Sequence, residues 1–163
     1  MNNTFHYTSP LGGITLASDG EALTGLYMNR EIPEKLTVFP VFTQTKAWLA
    51  DYFSGVVREV DVPVRSRGTP FQEQVWKILR DIPFGEIRTY GSIAQEVAAI
   101  LGKEKMSAQA IGQAVGSNPI SILIPCHRVV GAKGQLTGYA GGIDNKIWLL
   151  RHEGRQGIMG REE

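Results

Sequence analysis

Residues 89–116, TYGSIAQEVAAILGKEKMSAQAIGQAVG, decide the fold of the second half of this 163-residue chain. The first part of the segment has an apolar face at helical spacing, formed by Ile93, Ala94, Val97, Ala98 and Leu101. Gly102 can end this helix, because glycine readily adopts the left-handed conformation found just past a helix C-terminus. A polar link over 103–106 follows, and Ser107 can cap a second short helix over 108–115. Two short helices joined by a polar link resemble a helix-turn-helix.

The second helix has a small residue at every even-numbered position, so that few bulky side chains cover its backbone. These residues are Ala108, Ala110, Gly112, Ala114 and Gly116. The pattern has two interpretations. The small side chains allow tight packing against another helix, or they let the helix enter a DNA groove with Gln109 and Gln113 as polar contacts. The sequence alone leaves both interpretations open.

A second strong signal lies upstream, where a helix is predicted over residues 70–82. Thr69 can cap it, Pro70 suits its first position, and Gln72 completes a capping box. Its apolar face is formed by Phe71, Val75, Ile78, Leu79 and Ile82. The run Pro83-Phe84-Gly85 then ends the helix.

The residues before this helix predict a small α/β lobe. Residues 3–28 contain short alternating apolar runs between Gly- and Asp-bearing turns, which indicates a hairpin or meander. A helix is expected over 43–54. Val60, Val62 and Val64 alternate, so a short strand either precedes Pro63 or contains it at an edge. The expected division is an N-terminal lobe over 1–65 and a C-terminal lobe over 66–163.

Composition narrows the class of protein. A hydrophobic content of 42% and a charged content of 20% exclude the collagen-like and disordered classes, and a single cysteine excludes an internal disulfide. No apolar run approaches the roughly 18 residues needed to span a bilayer, and the first residues lack the pattern of a signal peptide. We therefore expect a cytoplasmic protein with no membrane partner.

Charge is distributed unevenly along the chain. Residues 1–62 hold 4 Lys and Arg against 7 Asp and Glu, whereas residues 63–163 hold 13 against 9. A basic half suits a nucleic-acid partner, but ordinary scatter of charges gives the same balance. Charge therefore permits DNA binding and does not establish it.

Cys126 is the only thiol and follows an apolar run over 120–124. A lone cysteine in such surroundings is usually a small buried hydrophobe. His127 and Arg128 come directly after it, however, and hydrogen-bonding or cationic neighbours favour the thiolate. Cys126 is therefore the candidate nucleophile. His127 is the candidate base and is expected to act through a water, because neighbours in an extended segment point to opposite sides.

Glu153 could complete a relay of three residues. It follows a final helix predicted over 144–152, and it could orient His127 as the acid of a catalytic triad does. Sequence separation alone does not show that the two side chains meet. With one cysteine and no HxxxH spacing, no metal site is expected.

The segment Ile124-Pro125-Cys126-His127-Arg128-Val129-Val130 closely resembles the active-site signature of the O6-alkylguanine-DNA alkyltransferases, also called methylated-DNA–protein-cysteine methyltransferases. The resemblance covers residues 65–163 through RGTPFQ at 67–72, IPFGE at 82–86, NPI at 118–120, GYAGG at 138–142 and LLRHEG at 149–154. It implies an α+β fold, with an N-terminal ribonuclease H-like α/β lobe packed on a mostly helical C-terminal lobe that contains the helix-turn-helix.

This resemblance implies direct-reversal DNA repair. Family members transfer an alkyl group from O6-alkylguanine in double-stranded DNA to their own cysteine, here Cys126, and O4-alkylthymine is an expected second substrate. The protein would then be a methylated-DNA-[protein]-cysteine S-methyltransferase that is consumed in a single turnover. It would act as a monomer and need no cofactor.

The resemblance also implies roles for individual residues. His127, through a water, and Glu153 would generate the thiolate, Tyr90 would donate a proton to guanine N3, and Asn118 would brace the turn before the active-site segment. The second helix would lie in the minor groove while the damaged nucleotide rotates out of the duplex. The residues expected to contact DNA or the extruded base are Ala108, Gln109, Gly112, Gln113, Arg128, Val129, Tyr139 and Ala140.

The sequence departs from the family pattern at several points. Gln109 stands where many members carry an arginine that fills the space of the extruded base, and glutamine lacks the charge and stacking plane of a guanidinium. Ala140 replaces a serine of some members, the link over 103–106 is longer than in some, and the zinc-binding cysteines of some relatives are absent.

Three alternatives compete with repair. A relative that only flags damaged DNA would lack the nucleophile, whereas Cys126 is present. A thiol-based redox-sensing helix-turn-helix regulator is the main alternative, and it would leave Tyr90 and the Gly-rich loop without a purpose. A thiol hydrolase would need an oxyanion-donor motif, which is not evident.

Overall fold

The structure is a computed structural model that describes residues 3–28, 39–136 and 139–154. The chain divides into two compact units. The first contains the described residues up to Arg67 together with Pro119–Leu123, and the second contains Gly68–Asn118 and the described residues from Ile124 onward. No sequence pattern predicts that Pro119–Leu123 belongs to the first unit.

Three antiparallel strands in the order β1-β2-β3 form the sheet of the first unit. β1 spans Asn3–Ser9, β2 spans Gly12–Ser18 and β3 spans Leu23–Met28. The β1–β2 hairpin has a two-residue loop between Ser9 and Gly12. Gly12, the first residue after the loop, has a φ of 98°, a conformation that favours glycine. The meander predicted from the sequence is therefore confirmed.

Helix α1 (Pro40–Phe53) lies against this sheet. It begins three residues before the expected start, because its first position is a proline, whose missing N–H costs nothing there. Its buried face carries aromatic rings, of which Phe42 stacks with Phe5 of β1 while Trp48 and Tyr52 stack with each other. The rings of Phe5 and Phe42 lie 5.6 Å apart, and those of Trp48 and Tyr52 lie 5.4 Å apart.

Two short segments cover the outer edge of β3. At its start, Leu23 N–H donates to Pro63 O at 2.8 Å, and Leu23 O accepts from Arg65 N–H at 2.8 Å. Val64 thereby forms a parallel bridge to Leu23. The strand expected over 60–64 is reduced to this one bridge, with the proline at the edge of the sheet as predicted.

The second segment comes from the middle of the chain. Leu26 N–H donates to Pro119 O at 2.9 Å, and Leu26 O accepts from Ser121 N–H at 3.3 Å. Immediately afterwards Leu123 N–H donates to Ser121 O at 2.8 Å, which closes a γ-turn around Ile122 at a φ of 70°. A positive φ at a β-branched residue costs about 1–3 kcal/mol. Burial of Ile122 in the apolar core holds it there.

The second unit is mostly helical. Its helices are α2 (Pro70–Arg80), α3 (Tyr90–Leu101), α4 (Ala108–Gly116) and α5 (Ile143–His152). A parallel pair of short strands joins β4 (Arg88–Thr89) to β5 (Val129–Val130). Single 3₁₀ turns occupy Cys126–Arg128 and Ala132–Gly134.

Side-chain caps set where the helices of this unit begin. The predicted capping box of α2 is present, since Thr69 Oγ1 accepts from Gln72 N–H at 3.1 Å and Gln72 Oε1 accepts from Thr69 N–H at 2.9 Å. At α3, Thr89 Oγ1 accepts from Ser92 N–H at 3.0 Å. Tyr90 is therefore the first residue of α3 and is held by the helix start.

A buried tryptophan joins α2 to α4. Trp76 Nε1–H donates to Ala114 O at 2.8 Å, and the indole is 2% exposed. Gly68 passes so close that a Cβ atom there would lie 2.5 Å from Trp76 Cη2. Only glycine fits at this position without displacing the indole. None of the helices within the described ranges is long and apolar enough to cross a membrane.

Replacing Gly68 with alanine should destabilise the protein. The added methyl group would push the Trp76 ring away from its bond to Ala114, and such overpacking costs about 1–3 kcal/mol. Gly116→Ala is the matched control, because a Cβ atom there meets nothing within 4 Å. Denaturant unfolding followed by tryptophan fluorescence measures both, and equal stabilities for the two variants would contradict this account of Gly68.

Candidate active site

Cys126 lies at the start of a 3₁₀ turn and is 3% exposed. Its N–H donates to Ile124 O at 2.8 Å across Pro125, whose φ of −81° and ψ of 67° make an inverse γ-turn. The expectation of an extended segment at Cys126 and His127 is therefore wrong, because the proline bends the backbone into a helical turn. The opposite-sides argument for a water bridge does not apply to this geometry.

The structure brings together His127 and Glu153, which are 26 residues apart in the chain. His127 Nε2 lies 2.7 Å from Glu153 Oε2, and both side chains are fully buried. Glu153 is placed by α5, since it caps the C-terminal end of that helix. His127 is placed by the 3₁₀ turn that also carries Cys126.

Arg128 holds the Glu153 carboxylate in place. Its Nε donates to Oε1 at 2.8 Å and its Nη2 donates to Oε2 at 2.9 Å, while Gly85 N–H also donates to Oε1 at 3.2 Å. The same guanidinium donates to Ile82 O at 2.6 Å and lies 5.8 Å from the centroid of the Phe84 ring. Two-point contact of this kind fixes orientation as well as charge.

This placement of Arg128 differs from the predicted contact with DNA or substrate. The side chain is 10% exposed, and each hydrogen bond described above is to a group inside the second unit. Buried ion pairs of this kind need several hydrogen bonds to offset the loss of hydration, and Arg128 obtains them from Glu153 and Ile82. Arg128 is therefore a positioning residue for the carboxylate.

The protonation states follow from this surrounding. Burial raises the pKa of Glu153, but the hydrogen bond from His127 and the charge of Arg128 outweigh it and hold that pKa far below the usual range. Burial lowers the pKa of His127 and outweighs the raising effect of Glu153, while the charges of Arg128 and Lys146 lower it further. At neutral pH the pair therefore consists of a carboxylate and a neutral imidazole.

The hydrogen-bond pattern assigns the tautomer of His127. Because the carboxylate only accepts, Nε2 carries the proton, and Nδ1 has the free lone pair. Nδ1 is buried and has no hydrogen-bond partner among the residues that the structure describes. The site thus presents a neutral, oriented base immediately after the only thiol of the chain.

Lys146 is a residue of the site that the sequence analysis missed. It is fully buried, its Nζ donates to Val129 O at 2.7 Å, and it lies 5.9 Å from the centroid of the Tyr90 ring. Burial lowers its pKa to about 8, while the attraction of Cys126 raises it. The same attraction acts on the sulfur, so the ammonium favours the thiolate. The sequence does carry a signal for it, because Lys146 lies at a position of α5 where the helical spacing of the apolar residues predicts a buried side chain.

Two further predicted residues take up defined positions. Asn118 is 7% exposed and follows α4, and its Nδ2 donates to Ile124 O at 2.7 Å. That bond ties the end of α4 to the segment that carries Cys126. The ring of Tyr90 packs beside Gly112, where a Cβ atom would lie 3.9 Å from Tyr90 Cε1.

The exposed face of α4 carries the polar residues predicted for DNA. Ala108, Gln109 and Gln113 are exposed, and Gly112 is half-buried. Its inner face is formed by Ile111, Ala114 and Val115. Ala114 accepts the hydrogen bond of the buried Trp76 indole, which fits the packing interpretation, whereas Ala108 is exposed and the groove-binding interpretation stays a prediction.

The other residues predicted to contact DNA or the extruded base differ in how far they are buried. Val129 is fully buried and its carbonyl accepts from Lys146. Tyr139 is half-buried, its carbonyl accepts from Gly142 N–H at 2.8 Å, and Ala140 is exposed. Gly138, in the glycine-rich loop, lies outside the described residues. Within the described ranges no group of three or more His, Cys, Asp or Glu side chains could hold a metal ion.

Comparison with known proteins gives a consistent result over both units. Residues 70–155 match the model for the 6-O-methylguanine DNA methyltransferase, DNA binding domain, and residues 5–66 match that for the 6-O-methylguanine DNA methyltransferase, ribonuclease-like domain. A methylated-DNA–protein-cysteine methyltransferase of Mycobacterium tuberculosis is 45% identical over 150 residues, which cover 89% of this chain and 88% of that protein. One from Methanosarcina acetivorans is 43% identical over 156 residues, with 91% and 96% covered.

Solved structures give the same result. The crystal structure of Mycobacterium tuberculosis O6-methylguanine methyltransferase matches with a TM-score of 0.81 at 43% identity, covering 94% of this chain and 93% of that one. A structure of the M. tuberculosis protein in complex with DNA matches with a TM-score of 0.78 at 43% identity, covering 91% and 90%. The predicted fold class, a mixed α/β N-terminal lobe and a mostly helical C-terminal lobe, is confirmed.

Replacing Lys146 with methionine should stabilise the protein at pH 7 while slowing alkylation of Cys126. Burial lowers the pKa of Lys146 from 10.5 to about 8, so keeping the ammonium buried destabilises the folded state most fully below about pH 8. Methionine removes that cost, a gain of about 1–3 kcal/mol that should shrink as the pH rises toward 10.

Denaturant unfolding between pH 7 and 10, and the rate of Cys126 carbamidomethylation read by mass, measure the two effects. The exposed Lys46 on α1 provides the control variant Lys46→Met, which should change neither quantity. A Lys146→Met variant that reacts as fast as the parent would show that the ammonium does not act on the thiol.

Proposed function

Because the chain belongs to the 6-O-methylguanine DNA methyltransferase family, we propose that it repairs DNA by moving an alkyl group from O6-alkylguanine to its own Cys126. One observation carries the assignment of the residues. The neutral His127, oriented by the buried Glu153 at 2.7 Å, directly follows the only cysteine of the chain. DNA is the partner, and a double-stranded substrate with an alkylated base is the specific form proposed.

The reaction begins with removal of the thiol proton. His127 Nδ1 takes it through one water, and the resulting imidazolium is stabilised by the carboxylate of Glu153. The ammonium of Lys146 stabilises the thiolate. Cys126 Sγ then attacks the alkyl carbon, so that the S–C bond forms as the bond from that carbon to guanine O6 breaks.

The leaving group is a guanine anion, and Tyr90 supplies a proton to its N3. Proton donation to a leaving group contributes typically 10²–10⁴-fold to the rate. The position of Tyr90 at the first turn of α3, against Gly112 of α4, supports this role because it places the phenol beside the helix proposed to contact DNA. Asn118 holds that helix to the active-site segment through its bond to Ile124 O.

The product is a thioether, which water does not cleave. Each protein molecule therefore repairs one lesion, and the reaction uses no cofactor because the substrate itself supplies the electrophilic carbon. O4-alkylthymine is a second proposed substrate, because it too presents an alkyl carbon on an exocyclic oxygen. We further propose that the protein acts as a monomer in the cytoplasm, where a single thiol stays reduced.

Access to the base requires that the nucleotide rotate out of the duplex, at a cost of a few kcal/mol. The outer side of α4 supports this step, since Ala108 and the half-buried Gly112 add little bulk there while Gln109 and Gln113 offer polar groups to the minor groove. The degenerate pattern of that groove suits a protein that must find damage in any sequence. Gln109 is proposed to fill the space left by the extruded base.

A redox-sensing regulator is less well supported. Redox-sensing cysteines often have a second, resolving cysteine nearby, whereas Cys126 is the only cysteine of the chain. The buried His127–Glu153 pair also has no purpose in a reaction that needs only an exposed thiolate.

The mass of the protein after incubation with duplex DNA that carries O6-methylguanine tests the proposal. We expect one methyl group per molecule, located on Cys126 by peptide mapping, with no second turnover. Cys126→Ala should bind the same DNA and gain no mass. A protein that binds the lesion and never changes mass would be a damage-flagging protein, and methylation elsewhere would identify another nucleophile.

Gln109→Ala should slow repair in duplex DNA more than reaction with free O6-benzylguanine. The free base needs no extrusion, so loss of a residue that fills the vacated space affects only the duplex reaction. Single-turnover rates with both substrates measure the difference, and Gln113→Ala, one turn further along the same exposed face, is the matched control. Equal slowing of both reactions would remove the base-replacement role of Gln109.

A further inference from the structure

Hydrogen bonds fix both ends of the link between α3 and α4, beside the helix proposed to contact DNA. α3 ends at Gly102, whose φ of 68° is left-handed, and Lys103 N–H donates back to Ala98 O at 2.8 Å. At the other end Ser107 Oγ accepts from Ala110 N–H at 3.0 Å and caps α4. Residues 103–106 therefore occupy a defined position at the N-terminal end of α4.

This link carries two lysines that form no ion pair with a carboxylate in the described parts of the chain. Lys103 and Lys105 are exposed, and neither forms an ion pair with any residue in the described parts of the chain. By contrast, Arg88 just before α3 is paired with Glu96 at 2.6 Å. Glu104 lies between the two lysines in the sequence, so the link keeps one net positive charge.

The link forms one wall of an open groove of about 520 Å³. The other wall is α3, which contributes mostly small side chains, namely Gly91, Ala94, Ala98 and Ala99, together with Gln95. Ala108, the first residue of α4, also lines it. The groove is therefore continuous with the exposed face of α4, and its small side chains let another chain approach the backbone of α3.

We propose that this groove binds the sugar–phosphate backbone of a DNA strand that α4 contacts, with Lys103 and Lys105 at its rim as phosphate ligands. The inference rests on the proposed function, because it takes α4 as the helix that contacts DNA. Two observations carry it: the continuity of the groove with the exposed face of α4, and the unpaired positive charge of the link. Lysine contacts phosphate as a point charge and reads no sequence. The groove would thus add affinity on DNA of any sequence, as scanning for damage requires.

The salt dependence of binding tests this directly. Each phosphate contact contributes about −0.9 to the slope of log K against log salt concentration. For Lys103→Ala/Lys105→Ala on undamaged duplex DNA, we therefore expect a slope that is shallower by about 1–2 and an affinity at least severalfold lower near 0.1 M salt. Lys46→Ala/Lys77→Ala is the matched control, since it removes the same charge from exposed lysines on α1 and α2. It should keep the slope of the parent.

A variant that binds DNA more tightly gives a second test, because a misfolded variant would bind more weakly. Glu104→Lys should bind duplex DNA more tightly and with a steeper slope, whereas Glu21→Lys, an equal charge change on an exposed residue of the first unit, should not. The proposal is overturned if the Lys103/Lys105 pair and the Lys46/Lys77 pair give the same slope. It is also overturned if the link variants change only self-association of the protein, which would make the groove a protein–protein surface.

The outcome is separate from that of the proposed function. Alkyl transfer to Cys126 by the parent protein together with unchanged slopes would overturn the role of the groove alone. Failure of the parent to accept the alkyl group would overturn the proposed function, whatever the slopes.

Discussion

The carboxylate of Glu153 is the interaction on which the rest of the site depends. It accepts hydrogen bonds from His127, from two nitrogens of Arg128 and from the backbone of Gly85. An ionised carboxylate removed from water is costly unless its lone pairs are satisfied, and here four donors satisfy them. That requirement brings the end of α5, the 3₁₀ turn of the nucleophile and the turn after α2 to one point.

This arrangement explains how a buried sulfur can be reactive. The charge that His127 would gain is offset in advance by Glu153, and the donors around Glu153 leave it no freedom to rotate. Lys146 adds positive charge at the thiol, and its own burial keeps its pKa near 8. Burying these charged side chains lowers the free energy of unfolding. In return, their positive charges stabilise the ionised sulfur.

Much of this could be predicted from the sequence because local signals were strong. The capping box of Thr69 and Gln72, the apolar periodicity of α3 and the glycine after it determine helix starts and ends through short-range hydrogen bonds. The residues of the nucleophile segment were recognisable as a family motif. The expected meander and helix-turn-helix were accordingly found where their turn and cap residues placed them.

What the sequence could not show depends on contacts between distant residues. The role of Arg128 follows from meeting Ile82 and Glu153, and nothing in the neighbouring residues distinguishes a cation bound to a carboxylate from one that faces DNA. Lys146 was overlooked because a lysine in a helix is usually solvated. The turn at Cys126 cannot be told from extended backbone in the sequence, because Pro125 is compatible with both an extended segment and an inverse γ-turn.

The way β3 acquires its neighbours has a consequence for synthesis of the chain. Leu23 is covered by residues 63–65, which follow soon after it, but Leu26 is covered by Pro119 and Ser121, which are translated almost a hundred residues later. Pairings between such distant residues form slowly, because the entropy of closing a long loop is lost before any stabilising hydrogen bond forms. While the ribosome adds the intervening helices, that part of the strand keeps unpaired backbone groups available to other nascent chains.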